Sequence, residues 1–238
     1  MKEQLEHNKL TKNVFRIQKG ELTVIAGRAK SGKTTCLQKI LKDIAFKNIP
    51  VAFFSLEYSQ GIFFRKFLKS HLNLNVESIV NNDLAKLEHI CEEIANYPIY
   101  LDDSSQLTRE EYFKKTMLAK KHIPDLSLII FDYLQLIDTD KHMIKKEKFI
   151  MKDLKFLAKK LNVAIVVADQ LSPSFKPKDS ILSYLQLYMV DLQDIDNICL
   201  LQKRKVGKHW NIKFTVTKSN TNCMFSSNLP DVEFISNE

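Results

Sequence analysis

Residues Gly20 to Thr35 read GELTVIAGRAKSGKTT, and this stretch constrains the fold more than any other. Leu22 to Ala26 is a short apolar run that suits a buried strand. Gly27-Arg28-Ala29-Lys30-Ser31-Gly32-Lys33-Thr34 then completes a G-x-x-x-x-G-K-[ST] pattern, followed by Thr35. Leu37, Ile40, Leu41, Ile44 and Ala45 recur at the spacing of one helix face. Strand, glycine loop and helix in that order predict a phosphate-binding loop. Gly27 and Gly32 let the backbone approach an anion closely. The loop N–H groups and the helix amino end supply donors. Lys33 adds a compact cation for terminal phosphates, and Thr34 offers a hydroxyl to Mg²⁺. The expected ligand is therefore ATP with Mg²⁺, held by residues 27 to 35.

The bulk composition narrows the remaining classes. The chain has 238 residues, enough for one large α/β domain. Its charged amino terminus, MKEQLEHNKLTKN, does not read as a secretory signal. No apolar run reaches the length of a membrane span. The four cysteines, Cys36, Cys91, Cys199 and Cys223, are widely spaced, which argues against a disulfide framework or a zinc site. A soluble cytoplasmic protein with no membrane partner is expected. The net charge of +8 suits a polyanionic partner, and residues 1 to 50 hold eleven Lys or Arg against four Asp or Glu.

In chain order, residues 1 to 19 read as a polar lead-in with at most one helical turn, and residues 20 to 238 as the ATPase domain. Val51 to Ser55, Ile99 to Leu101, Leu128 to Asp132 and Val163 to Ala168 read as further strands. Helices are expected over Ser59 to Ser70, Val76 to Ala95, from Thr108 to Pro124, and up to Leu161. Thr108-x-x-Glu111 is a capping box. In the second of these helices Leu84, Leu87, Cys91, Ile94 and Ala95 form the expected buried stripe. Ser183 to Gln193 reads as helix, Ile198 to Leu201 and Asn211 to Val216 as strands. Alternating strands and helices predict a mostly parallel sheet covered on both faces, ending in an antiparallel extension.

Ligands in such sheets bind beyond the carboxyl ends of the strands. The polar residues there are Glu57, Asp132, Asp169 and Gln170. Asp132 after four apolar residues fits a Mg²⁺-holding carboxylate; a loop or capping carboxylate is the alternative. Glu57 is a candidate general base, or a surface residue opening a helix. Gln170 is a candidate γ-phosphate contact, or a loop-end amide. Lys141, Lys145, Lys146 and Lys148 are candidates for a nucleic-acid backbone, or for a solvated helix start.

The blocks GELTVIAGRAKSGKTT, VAFFSLEYS, IYLDDSSQLT, LIIFDYLQLI, LKFLAKKLNVAIVVADQL and Gln193-Asp194-x-Asp196 resemble, in the same order, the bacterial replicative DNA helicase, DnaB. The likeness covers that family's C-terminal, RecA-like motor domain, from about Gly20 to Cys223. It implies a RecA-like fold and an ATP-driven ring motor acting on single-stranded DNA. It also implies Glu57 as the catalytic glutamate, Asp132 as the Walker B aspartate and Gln170 as the γ-phosphate sensor.

Departures from the family pattern are equally specific. The family's S-Q-L-N-R block reads Asp169-Gln170-Leu171-Ser172-Pro173, without its arginine. The family's late-strand Lys-x-Arg, whose members reach a neighbouring subunit's nucleotide, reads Lys218-Ser219-Asn220. Lys218 thus keeps a nucleotide-contacting position, whereas Asn220 lacks the charge of an arginine finger. Lys203, Arg204 and Lys205 on the preceding strand are candidate substitutes. The helical N-terminal domain and linker helix of the family have no counterpart in the sequence. Two function classes remain open: a weak ATPase motor, alone or in a homo-oligomeric ring, and an ATP-binding regulator or partner of a helicase or recombinase. A small-molecule kinase shares the phosphate loop but leaves FSLE and DYLQL unexplained.

Overall fold

In the computed structural model of the chain, the central strands are the apolar runs of the sequence. The structure describes residues 14–71, 74, 79, 84–105, 107–133, 146–175, 180–181, 192–206, 209–218, 226–227 and 231–235. The strands are β1 (Val14–Gln18), β2 (Leu22–Gly27), β3 (Val51–Ser55), β4 (Ile99–Asp102), β5 (Leu128–Asp132), β6 (Ala164–Gln170), β7 (Asn197–Val206), β8 (His209–Lys218), β9 (Ser226–Ser227) and β10 (Asp231–Ile235). The helices are α1 (Lys33–Ala45), α2 (Gln60–His71), α3 (Leu84–Ala95), α4 (Arg109–His122) and α5 (Lys146–Leu161). Eight strands form one sheet in the order β4-β3-β5-β6-β2-β7-β8-β9. Pairings from β4 through β7 are parallel, and β7-β8 and β8-β9 are antiparallel. The mostly parallel RecA-like α/β fold and its antiparallel extension are thus present.

Strands β2, β3 and β5 are buried at every position, as expected where both faces of a parallel sheet are covered. Alternation along the strands divides the core in two. Ala52 and Phe54 pack with Leu154, Leu157 and Ala158 of α5 and Tyr112 of α4. Val51 and Phe53 pack with Leu37, Ile40 and Ile44 of α1 and Phe63 and Phe67 of α2. Thr108 caps α4 through the expected reciprocal bonds with Glu111.

Three expectations change. The last part of the lead-in holds a strand, β1, and residues 1–13, where a helical turn was also expected, lie outside the described residues. Phe15 and Ile17 alternate into the α1 side of the core, and β1 pairs in parallel with β10 as a separate two-stranded sheet. In α3 only Ile94 of the expected stripe is buried, and Leu84 is 59% exposed. The helix has the right period, but no element of the described core covers most of that face. Finally, β7 and β8 are each ten residues long, extending the expected strands in both directions. The expected helix over 183–193 falls mostly outside the described residues, which resume in a single 3-10 turn, Leu192–Asp194. Among the described residues no helix is long and apolar enough to cross a membrane.

Candidate nucleotide site

The parallel strands β2, β3, β5 and β6 all point their carboxyl ends to one edge, and the candidate residues gather there. A cavity of about 590 Å³ is lined by Ala29, Lys30, Gly32, Lys33, Thr34 and Thr35 from the glycine loop and the start of α1. Glu57, Asp132 and Gln170 reach the same cavity from the ends of β3, β5 and β6. Five residues that sequence reasoning did not assign to the site also line it: Gln38, Tyr58, Lys66, Tyr133 and Ile212. Lys203 lines it too, so one of the three candidate substitutes on β7 stands beside the phosphate loop of its own chain. Gln170, Lys203 and the loop are shared with a neighbouring cavity of about 450 Å³, which takes in Arg28, Ser31, Pro173 and Phe175.

The loop geometry follows from its glycines. A Cβ at Gly27 would collide with Ser31 Oγ and come within 3.1 Å of the Leu201 carbonyl oxygen. Gly32 lies at φ 99° as the residue before α1, a conformation that side chains with a Cβ rarely adopt. No side chain caps the first turn of α1 and no acidic residue stands in it. Its N–H groups therefore suit an anion. Ser31 Oγ is buried without a hydrogen-bond partner.

Lys33 is buried, and its ammonium donates to the carbonyls of Gly27 and Arg28, each at 3.1 Å. Burial pulls its pKa below the ordinary lysine value, against the opposing pull of Asp132, Asp169 and Glu57. Asp132 is 1% exposed, and neither carboxylate oxygen has a hydrogen-bond partner. Burial raises its pKa to about 6. Thr34's hydroxyl tempers that rise without closing a hydrogen bond of normal geometry, Glu57 adds to it, and Lys33 and Lys66 oppose it.

These groups fit Mg²⁺. Thr34 and Asp132 offer hard oxygen donors, and the two partnerless buried oxygens lack only a cation. Among the described residues no three His, Cys, Asp or Glu are grouped to hold a metal unaided.

The remaining candidates are placed as follows. Asp169 is fully buried in β6, whereas Gln170 after it is exposed and lines the cavity. Lys218 is not in this cavity: its ammonium donates to the carbonyls of Leu192 and Ile195, and burial lowers its pKa. Asp196, from the Gln193-Asp194-x-Asp196 block, accepts from the Leu22 N–H at 2.7 Å and from Lys155 Nζ at 2.5 Å. It therefore fastens the amino ends of β2 and β7. Asn220, Lys141 and Lys145 lie outside the described residues, as do the side chains of Lys146, Lys148, Arg204 and Lys205.

The sequence model for the DnaB-like helicase C terminal domain matches residues 5–221. A replicative DNA helicase DnaB of Mycoplasma genitalium is 32% identical over 205 residues, covering 79% of this chain and 44% of that protein. A probable replicative DNA helicase of Trieres chinensis is 28% identical over 199 residues, covering 78% and 44%. The chain thus spans less than half the length of these curated relatives. Among solved structures, one described as an ATPase domain superposes with a TM-score of 0.76 at 22% identity, covering 95% of this chain and 91% of that one. A DnaB-like replicative helicase, described with its interactions with primase, gives 0.77 at 21% identity, covering 95% and 62%. The match over nearly the whole chain, on a fold whose glycine loop and strand-end carboxylates share one cavity, makes this protein a member of the DnaB-like helicase C-terminal domain family.

Proposed function

We propose that this chain binds ATP with Mg²⁺ and hydrolyses it, and that hydrolysis is coupled to single-stranded DNA. The convergence of Lys33, Thr34, Glu57, Asp132 and Gln170 on one cavity supports this reading most strongly. Gly27 through Thr35 cradle the phosphates. Lys33 exchanges its loop carbonyls for phosphate oxygens. Thr34 and Asp132 hold Mg²⁺, which when bound offsets charge on the transferring phosphoryl group. Glu57, exposed at the rim, takes the proton of the attacking water. Gln170 contacts the γ-phosphate. The ATPase unit of residues 20–238 takes in β1 as well, because Phe15 and Ile17 belong to its core.

One observation favours a second reading, an ATP-binding partner of a helicase with little turnover of its own. Lys218 is held by carbonyls of its own chain. In the ring reading it must leave them to reach a neighbour's nucleotide.

The deciding experiment measures ATPase rate with and without single-stranded DNA, beside sizing in ATP-Mg²⁺. DNA stimulation with ring formation supports the motor; tight binding without turnover supports the partner. Lys33→Ala abolishes ATP-Mg²⁺ binding in calorimetry, and unchanged affinity contradicts the phosphate-loop assignment. DNA affinity should fall with salt at a log–log slope of about −0.7 per phosphate neutralised.

A further inference from the structure

Large apolar side chains exposed singly are ordinary on a protein surface, whereas several on one face are not. Six are exposed among the described residues, and four of them, Met117, Leu118, Phe149 and Phe156, belong to α4 and α5. These two helices lie against the side of the sheet opposite α1. The contacts between them climb in step. Arg109 Nε and Nη2 donate to Asp153 at 2.6 and 2.8 Å, and a turn further on the Phe113 and Phe156 rings lie 6.5 Å apart. Tyr112's hydroxyl donates to the same carboxylate at 2.8 Å. The helices are thus locked side by side, with a seam between them.

The seam is apolar along its length. Met117 follows Phe113 by one turn, and Phe149 precedes Phe156 by two, so both border it. Phe149, Phe156 and Met117 are 43%, 52% and 38% exposed. Leu118 stands about 100° further round α4 and is not part of it. From Phe149 to the level of Met117 the seam runs about 16 Å, or three helical turns.

The rim has one sign. Lys114 and Lys121 on α4 and Lys152 and Lys159 on α5 are exposed. In each pair the lysines are two turns apart on one face. Lys160 is exposed as well and lies over the Phe156 ring, 5.5 Å from its centroid. Asp153 is engaged by Arg109 and Tyr112, and Glu111 by the cap of α4. Among the described side chains of the two helices, Glu110 remains to offset these five lysines.

We propose that the α4–α5 seam is a docking groove for an acidic amphipathic helix of a partner protein. An apolar stripe at i, i+3, i+4 and i+7 lies on Phe113, Met117, Phe149 and Phe156, and Asp or Glu on its flanks meets the lysines. Nucleic acid fits less well, because Phe113 and Phe156 pack on each other and Lys160 covers the second ring, which leaves no open platform for bases. A second copy docked face to face fits less well too, because it brings lysine rim against lysine rim. None of these residues lines the nucleotide cavity, so the inference does not depend on the proposed activity.

The test uses the full chain and a fluorescent synthetic peptide of about four helical turns, with Leu at that spacing and Glu elsewhere, and reads affinity by anisotropy. The parent should bind it at least about tenfold more tightly than the same peptide with Lys in place of Glu. Phe156→Ser should weaken the acidic peptide about tenfold or more. Lys152→Glu combined with Lys159→Glu should weaken it as much and should improve binding of the basic peptide. The three side chains are exposed, so thermal midpoints and ATP-Mg²⁺ affinity should move little. Failure of the parent to bind the acidic peptide, equal affinity for both peptides, or affinity that neither variant changes would each overturn the proposal. Binding of oligo(dT) that the same variants abolish would assign the face to nucleic acid, and self-association that Phe156→Ser abolishes would assign it to a second copy. Either result overturns the proposal as well.

Discussion

Two buried aspartates sit at opposite edges of the same sheet and are treated in opposite ways. At the amino edge, Asp196 takes the Leu22 N–H and the Lys155 ammonium. At the carboxyl edge, Asp132 is buried more completely, yet neither of its oxygens has a hydrogen-bond partner. A carboxylate left this way costs stability. The contrast sets a residue that closes the fold beside one that, on the proposed function, is held ready for a ligand. In the sequence Asp132 ends an apolar run and Asp196 closes the Gln193-Asp194-x-Asp196 block, and neither position shows which partners it keeps.

The largest effect is expected at the satisfied edge. Asp196→Ala strands Lys155 and the Leu22 N–H, and should cost about 3 kcal/mol in urea unfolding, with little change in nucleotide affinity per folded molecule. A cost near zero would dissolve the contrast. At the carboxyl edge, Glu57→Gln should keep ATP and lose turnover by roughly 10² or more, with stability unchanged. Equal turnover would return Glu57 to an ordinary surface role.

A smaller effect follows from the raised pKa of Asp132, about 6 against an ordinary 3.8. A folded-state value above the unfolded one means that the folded form holds its proton longer. Stability is therefore fully present below about pH 4 and is lost as pH rises through 6. Asp132→Asn removes that loss. Its stabilising effect should be roughly 1–3 kcal/mol above pH 6 and should fade toward pH 4. Urea midpoints at pH 4.5 and 7.5 measure it, and a pH-independent difference would assign it to packing instead.

How much of this was legible depended on sequence distance. The phosphate loop is local: its glycines, lysine and threonine fall within eight residues, and Gly27 and Gly32 have the constraints their pattern implies. Glu57, Asp132 and Gln170 were legible because each follows an apolar strand, and parallel strands deliver their ends to one edge. Lys66 was not, because its approach to Tyr58 depends on the direction in which α2 leaves the turn. Ile212, which packs on Gly32, depends on the β7-β8 register. The β1-β10 pairing joins residues more than two hundred positions apart. Charged residues around Phe15 and Ile17 also hid a period of two. In α3 the pattern was read correctly, but periodicity does not show whether a neighbour covers the face.

The claim that Asp132 is a ligand-holding carboxylate, kept at a cost to the fold, is tested most directly by one variant under two conditions. Thermal unfolding of Asp132→Asn and the parent, each with and without ATP-Mg²⁺ at pH 7.5, separates the two edges of the sheet. The account predicts that the variant is more stable than the parent without nucleotide, and that ATP-Mg²⁺ raises the parent's midpoint but scarcely moves the variant's. A variant less stable than the parent, and stabilised by ATP-Mg²⁺ to the same extent, would place Asp132 with Asp196 as a structural residue and contradict the account.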